Sequence, residues 1–220
     1  TELTDALGGK TQYTYNELGY PIQVTDANGN VTKMTYTSTA QLEKVTLPDG
    51  TTVKQEYDAL DRLIKQTHSS GLVTEYSYDA ANRVVKKKDN QDLNETYTYD
   101  KAGNRLTLTN SLGEVTQYSY NSDNQLTKVV YADKTSETFT YDVMGNVASS
   151  TDQEGKTKTY HYDQNGNLLK TVDHMKRETK YSYDALNRVV TESDADGNTS
   201  TYEYDVLGNL SKMTDANGHS

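Results

Sequence analysis

The residues best able to do chemistry in this chain are its acids, and they recur at fixed places. Asp26-Ala27-Asn28-Gly29-Asn30, Asp194-Ala195-Asp196-Gly197-Asn198 and Asp215-Ala216-Asn217-Gly218 resemble the opening of a calcium-binding loop. That makes Asp26, Asn28, Asp194 and Asp196 the candidate metal ligands. None of these stretches has the bidentate glutamate that closes such a loop at its twelfth position. A tight turn, in which Asp bonds its own backbone, demands the same residues, so the turn is the preferred reading. His68, His161, His174 and His219 stand alone, without metal-ligand spacing. Cysteine is absent, and no carboxylate pair breaks the repeat. No catalytic residue and no cofactor is assigned, and the chain is expected not to be an enzyme.

Tyrosine is the other candidate. There are 19, against one Phe and no Trp. A row of phenol rings could stack on sugars, which keeps open an adhesive ribbon that binds glycans or a partner protein. Hairpin repeats that bind sugars depend on Trp, so a structural ladder is preferred.

What must position these side chains is a repeat. One tyrosine recurs at Tyr15, Tyr36, Tyr57, Tyr78, Tyr99, Tyr120, Tyr141, Tyr162, Tyr183 and Tyr204, always 21 residues apart. Take it as position 0. Position -2 is Tyr or Phe except at Met34 and Gln55, and position +1 is mostly Asp. Position +4 is Gly in five copies, as at Gly103, Gly145, Gly166 and Gly208, and Asn in three, the residues that tolerate left-handed backbone, with Ala40 and Asp61 as exceptions. A second punctuation falls at +13/+14, as in Asn28-Gly29 and Asp196-Gly197, a strong hairpin signal.

Two turns about ten residues apart leave two strands of about six residues per repeat. The expected fold is all-β: tandem 21-residue hairpins forming one long, twisted antiparallel meander over residues 1–220, about ten copies cut mid-repeat at both ends. The odd period would flip each tyrosine to the other face, because side chains alternate. A three-residue loop at +2 to +4 and a two-residue type I′ loop at +13/+14 would restore parity. In that register position +6 (Leu42, Leu63, Val84 and their equivalents) sits between consecutive tyrosines. Position +8, Lys at 44, 65, 86, 128, 170 and 212, lies beside the -2 ring.

Composition narrows the function. Net charge is -10, which argues against nucleic acid, and Lys86-Lys87-Lys88, the only basic run, reads as a solvated strand end. No apolar run is long enough to insert in a membrane. The polar composition invites a disordered reading, but Tyr and Thr recurring in phase favour a pleated surface. The chain begins without Met and cuts through a repeat at each end, so it reads as an excerpt of a longer protein whose terminal strands could associate end to end.

Tyr99-Asp100-x-x-Gly103-Asn104-Arg105-Leu106 and Tyr204-Asp205-x-x-Gly208-Asn209-Leu210 give the chain its resemblance to the YD-repeat, or RHS-repeat, family, over essentially all its length. That resemblance implies a ribbon of hairpins spiralling into a hollow shell, in a bacterial secreted or cell-surface protein. In toxin complexes and RHS toxins such a shell encloses a C-terminal toxin domain; in teneurins and wall-associated proteins the repeats belong to large surface molecules. The implied partners are the rest of the shell and an enclosed toxin or other cargo. The proline- and aspartate-containing cleavage segment of toxin-bearing members has no counterpart here, where Pro48-Asp49-Gly50 is part of an ordinary second turn.

Overall fold

The computed structural model describes residues 1–220, and they divide into two compact units, 1–115 and 116–220. Every regular element is a β-strand. The first unit contains β1 (Glu2–Thr4), β2 (Lys10–Tyr15), β3 (Pro21–Thr25), β4 (Val31–Tyr36), β5 (Leu42–Thr46) and β6 (Thr52–Tyr57). It continues with β7 (Leu63–His68), β8 (Val73–Tyr78), β9 (Val84–Asp89), β10 (Asn94–Tyr99) and β11 (Arg105–Thr109). The second unit contains β12 (Val115–Tyr120), β13 (Leu126–Val130), β14 (Ser136–Tyr141), β15 (Val147–Thr151) and β16 (Thr157–Tyr162). Its remaining strands are β17 (Leu168–Val172), β18 (Glu178–Tyr183), β19 (Val189–Ser193), β20 (Thr199–Tyr204) and β21 (Leu210–Thr214).

Within each unit every strand pairs antiparallel with the next in sequence, from β1 through β11 and from β12 through β21. The fold is an antiparallel hairpin meander. None of it is a helix long and apolar enough to cross a membrane.

The loops correct the expected register. Both turns of each repeat close a three-residue loop. Asp58 N–H donates to the Arg62 carbonyl, and Asp61 N–H to the Asp58 carbonyl; Asp26 N–H likewise donates to Asn30, and Gly29 N–H to Asp26. A type I′ turn needs positive φ at both central residues. Here only the glycine has it: Gly29 lies at φ 82° and Gly197 at 86°, while Asn28 and Asp196 are not among the positive-φ residues. An aspartate two residues before Asn28 favours this form, although Leu47 and His68 open the same loop without one. Asp26 Oδ1 accepts from the N–H of Asn28 at 2.9 Å and of Asn30 at 2.8 Å, and this Asx geometry suits a type I turn followed by one left-handed residue.

Two equal loops leave the odd period uncompensated, and a β-bulge compensates it. Tyr57 pairs with Leu63, but the residue before it, Glu56, pairs with Lys65, so Ile64 is extra. The same shift occurs at Thr14/Tyr15, Thr35/Tyr36, Ser77/Tyr78 and Thr98/Tyr99 in the first unit. It recurs at Ser119/Tyr120, Thr140/Tyr141, His161/Tyr162, Ser182/Tyr183 and Glu203/Tyr204 in the second. A bulge sets two residues against one and so restores the alternation.

It also moves the +8 lysines. Lys65 pairs with Glu56 at -1, and the residue across from the -2 ring is the one at +9: Leu108 against Tyr97, Val129 against Tyr118. The row of -2, +9 and +17 residues is where burial is deepest: Val129, Thr171 and Thr74 are 6%, 4% and 7% exposed.

Candidate functional site

The first turn and the tyrosine before it form the unit that the chain repeats. At Asp58 the carboxylate caps its own loop, Oδ1 accepting from Leu60 N–H at 2.9 Å and Arg62 N–H at 3.1 Å. Asp100 does the same for Asn104, and Asp163 for Asn167. The second carboxylate oxygen takes the side chain at +5: Asn104 Nδ2 reaches Asp100 Oδ2 at 2.9 Å, and Asn167 Nδ2 reaches Asp163 Oδ2 at 2.9 Å. These donors hold the acids below the ordinary aspartate range, led by the side-chain bond from Asn104 at Asp100 and from Arg62 at Asp58. A carboxylate saturated by its own loop is a structural group, neither a base nor a nucleophile.

Seven of the anchor hydroxyls are tied down as well. Tyr36, Tyr57, Tyr78 and Tyr99 donate to the backbone carbonyls of Pro21, Leu42, Leu63 and Val84 at 2.7 to 2.8 Å. Tyr141, Tyr183 and Tyr204 donate to Leu126, Leu168 and Val189 at 2.7 to 2.9 Å. Each acceptor is the +6 residue of the preceding copy. The tyrosine row is therefore a series of latches from one repeat to the one before.

Arginine at +5 adds a clamp that sequence reasoning missed. Arg83 Nε and Nη2 both grip Asp79 Oδ2, at 2.8 and 2.7 Å. Its Nη1 crosses to the Asp100 carbonyl at 2.7 Å, and the guanidinium lies 4.7 Å from the centre of the Tyr99 ring. Arg62 repeats the arrangement with Asp58, the Asp79 carbonyl and Tyr78, and Arg188 stacks at 4.5 Å on Tyr204. The signal was present: Arg follows the +1 Asp by four residues in these copies.

The calcium candidates occupy second-turn loops. Asp26 and Asp194 each spend Oδ1 on two loop N–H groups and Oδ2 on an asparagine, Asn30 or Asn198, at 2.8 Å. Asn28 and Asp196 supply one of those N–H groups. Nowhere do three His, Cys, Asp or Glu side chains converge as a metal site would require. Gly103, Gly145, Gly166 and Gly208 sit at φ 83–96°, each closing a first turn. His161 pairs with Lys170 at the edge of a bulge.

One place departs from the pattern. Copy two has Met34 at -2 and Ala40 at +4, and Tyr20 takes the +5 position before it. There Leu18, Tyr20, Ile22, Met34 and Tyr36 line an open recess of about 560 Å³, with Tyr20 and Tyr36 rings 5.2 Å apart.

The RHS Repeat family profile matches residues 1–31, 141–173, 162–199 and 183–220, and the Teneurin YD-shell profile matches 51–151. The chain belongs to the RHS repeat family. Among solved structures, this RHS array is similar to TcdB2-TccC3 without its hypervariable C-terminal region, with TM-score 0.74 and 17% identity over 94% of the array. TcdB2-TccC3-TEV gives 0.73 and 17% over 92%, and the Photorhabdus luminescens Tc holotoxin pore 0.55 and 17% over 95%. At that identity the likeness shows the fold alone. The array spans only 13–14% of those chains. No curated protein matches it in sequence. Membership of a repeat family that is structural agrees with acids and phenols spent on holding the fold.

Proposed function

We propose that the array is a non-enzymatic wall segment of a larger secreted or cell-surface bacterial protein, and that the wall encloses a toxin or other cargo. The observation that carries this reading is the latch series: potentially reactive side chains are spent on joining one repeat to the next. The fold shared with TcdB2-TccC3 supports the shell geometry. In the same reading, β1 and β21 continue onto further repeats of the parent wall.

The test is protection of the parent protein's contents from protease, with and without two whole repeats removed in phase (Asp58–Tyr99). Cleavage of the contents only after the deletion supports the wall; equal protection in both refutes it. A second reading, adhesion through tyrosine, is favoured at one place only. Tyr15 and Tyr20 are 42% and 37% exposed, and Tyr20 lines the recess of copy two. Loss of glycan-array binding on Tyr20→Ala, with the fold intact, would establish that reading.

A further inference from the structure

The face of the first unit opposite its tyrosines carries a stripe of lysines that the fold does not require. Ladder pairs and strand alternation place Lys33, Lys44, Lys54, Lys65, Lys86 and Lys88 on that one face of β4 to β9. Lys44 and Lys54 are directly opposite one another across β5 and β6. Like charges in that position destabilise a sheet.

The acids on the same face neutralise only part of the stripe, Glu56 and Glu75 both lying directly opposite Lys65. Glu75 is taken by Lys88 at 2.6 Å, Glu56 lies 3.6 Å from Lys54, and Glu43 accepts from Thr35 Oγ1. Lys33, Lys44 and Lys86 make no ion pair, while Lys65 feels the charge of Glu75. In the loops along the flank, Asp58 and Asp79 are gripped by Arg62 and Arg83, while Asp49, Asp61 and Asp89 hold only neutral donors. Residues 31–89 hold nine Lys and Arg against eight Asp and Glu, in a chain whose net charge is -10. The basic excess is local.

From these observations we infer that this face docks a linear anionic polysaccharide bearing sulfate or phosphate groups. Charge complementarity identifies the occupant. From Lys33 on β4 to Lys86 on β9 is five strand spacings, roughly 24 Å. The ammonium groups follow that line across the strands, as a polymer with regularly spaced anions would. Lys44, opposed to Lys54 and without an acid of its own, gains a counter-charge on binding, which relieves the repulsion between the two. The site does not depend on the chain being a shell wall.

Heparin, as a sulfated polysaccharide, and uncharged dextran are the probes, with duplex DNA as competitor. The intact chain is expected to bind heparin and not dextran, with affinity falling as salt rises because counterions are released. Lys44→Gln with Lys54→Gln and Lys65→Gln is expected to weaken binding by roughly tenfold or more, by removing three of the anion contacts. Lys44→Gln with Lys54→Gln alone should keep the thermal midpoint or raise it while still lowering affinity, so weak binding is separated from poor folding. Lys128→Gln with Lys212→Gln, in the second unit, should leave heparin binding unchanged. No heparin binding at low ionic strength overturns the inference, as does equal binding by the triple variant. DNA binding as tight as heparin binding overturns the assignment to polysaccharide.

Discussion

Replacing Tyr78 by Phe removes one oxygen and one hydrogen bond, from the Tyr78 hydroxyl to the Leu63 carbonyl at 2.7 Å. The ring is part-buried, and Phe keeps its packing against the Arg62 guanidinium 4.8 Å away. The loss is therefore the net worth of the bond, about 1 kcal/mol, rising toward about 2 if the Leu63 carbonyl is left without a partner. Tyr162 is the internal control, because its hydroxyl makes no hydrogen bond. Tyr162→Phe should cost less than about 0.5 kcal/mol. Equilibrium urea unfolding followed by circular dichroism measures both, with the shift in midpoint read at constant slope. Equal destabilisation by the two variants would refute the latch.

The clamp predicts that Arg83→Lys is more damaging than loss of charge alone suggests, since an ammonium cannot fork onto Asp79, reach the Asp100 carbonyl and stack on Tyr99 together. The lost stacking alone is about 0.5–1 kcal/mol; a thermal midpoint equal to wild type would argue against it. At Gly103, with φ 96° and no atom within 4 Å of an added Cβ, only backbone strain opposes substitution. Val should cost roughly 1–3 kcal/mol. Asn should cost far less, as Asn82 and Asn187 already hold this place at φ 62° and 61°. Equal costs would refute the turn assignment. The pH profile should fall at both ends. Burial, and then the bond to Glu95, pushes Tyr97 up to about 12, so its contribution is complete below about pH 10 and lost as pH rises through the folded value. The lowered aspartates contribute above about pH 3.9, and that contribution is lost as pH falls through their folded values. A circular dichroism titration that already falls near pH 6 would contradict both.

Turns were legible because left-handed backbone restricts the residues that can hold it: Gly103, Asn82 and Asn187 announce themselves. Strands were legible from Tyr and Thr in alternation. The odd period was legible as a problem but not in its solution. The bulged position is mostly aliphatic, as at Ile22, Ile64, Val85, Leu106, Leu169 and Val190, but also takes Glu43, Thr127 and Ser211; nothing there distinguishes a bulge from ordinary strand, because what defines it is an unpaired backbone. Asn-Gly pairs suggested I′ turns, but every second turn takes the three-residue loop, capped by aspartate at +11 in copies such as Asp26 and formed without it at Leu47. From that one misplaced residue follows the wrong neighbour for the lysines: the bulge carries position +8 away from the -2 ring and puts +9 there. Arg62, Arg83 and Arg188 went unnoticed as clamps because +5 is more often Asn, which makes the shorter form of the same bond.

The burial pattern explains why such polar devices matter here. The chain exposes 14393 Å², whereas a compact globular protein of 24.6 kDa exposes about 10,000 Å². No large side chain is fully buried. Apolar burial, usually the dominant favourable force, is thin and spread along a row one residue deep. Each repeat must then gain its stability from the repeat beside it, as expected of an array with nearest-neighbour coupling. Latches and clamps at 0, +1 and +5 are the terms of that coupling; position 0 is Tyr in every copy and +1 is Asp or Asn in all but Thr37. The face carrying the lysines adds only scattered cross-strand bonds, such as Lys88 with Glu75 and Thr98 with Thr107. Recognition can be added there to a structural repeat without touching the latches.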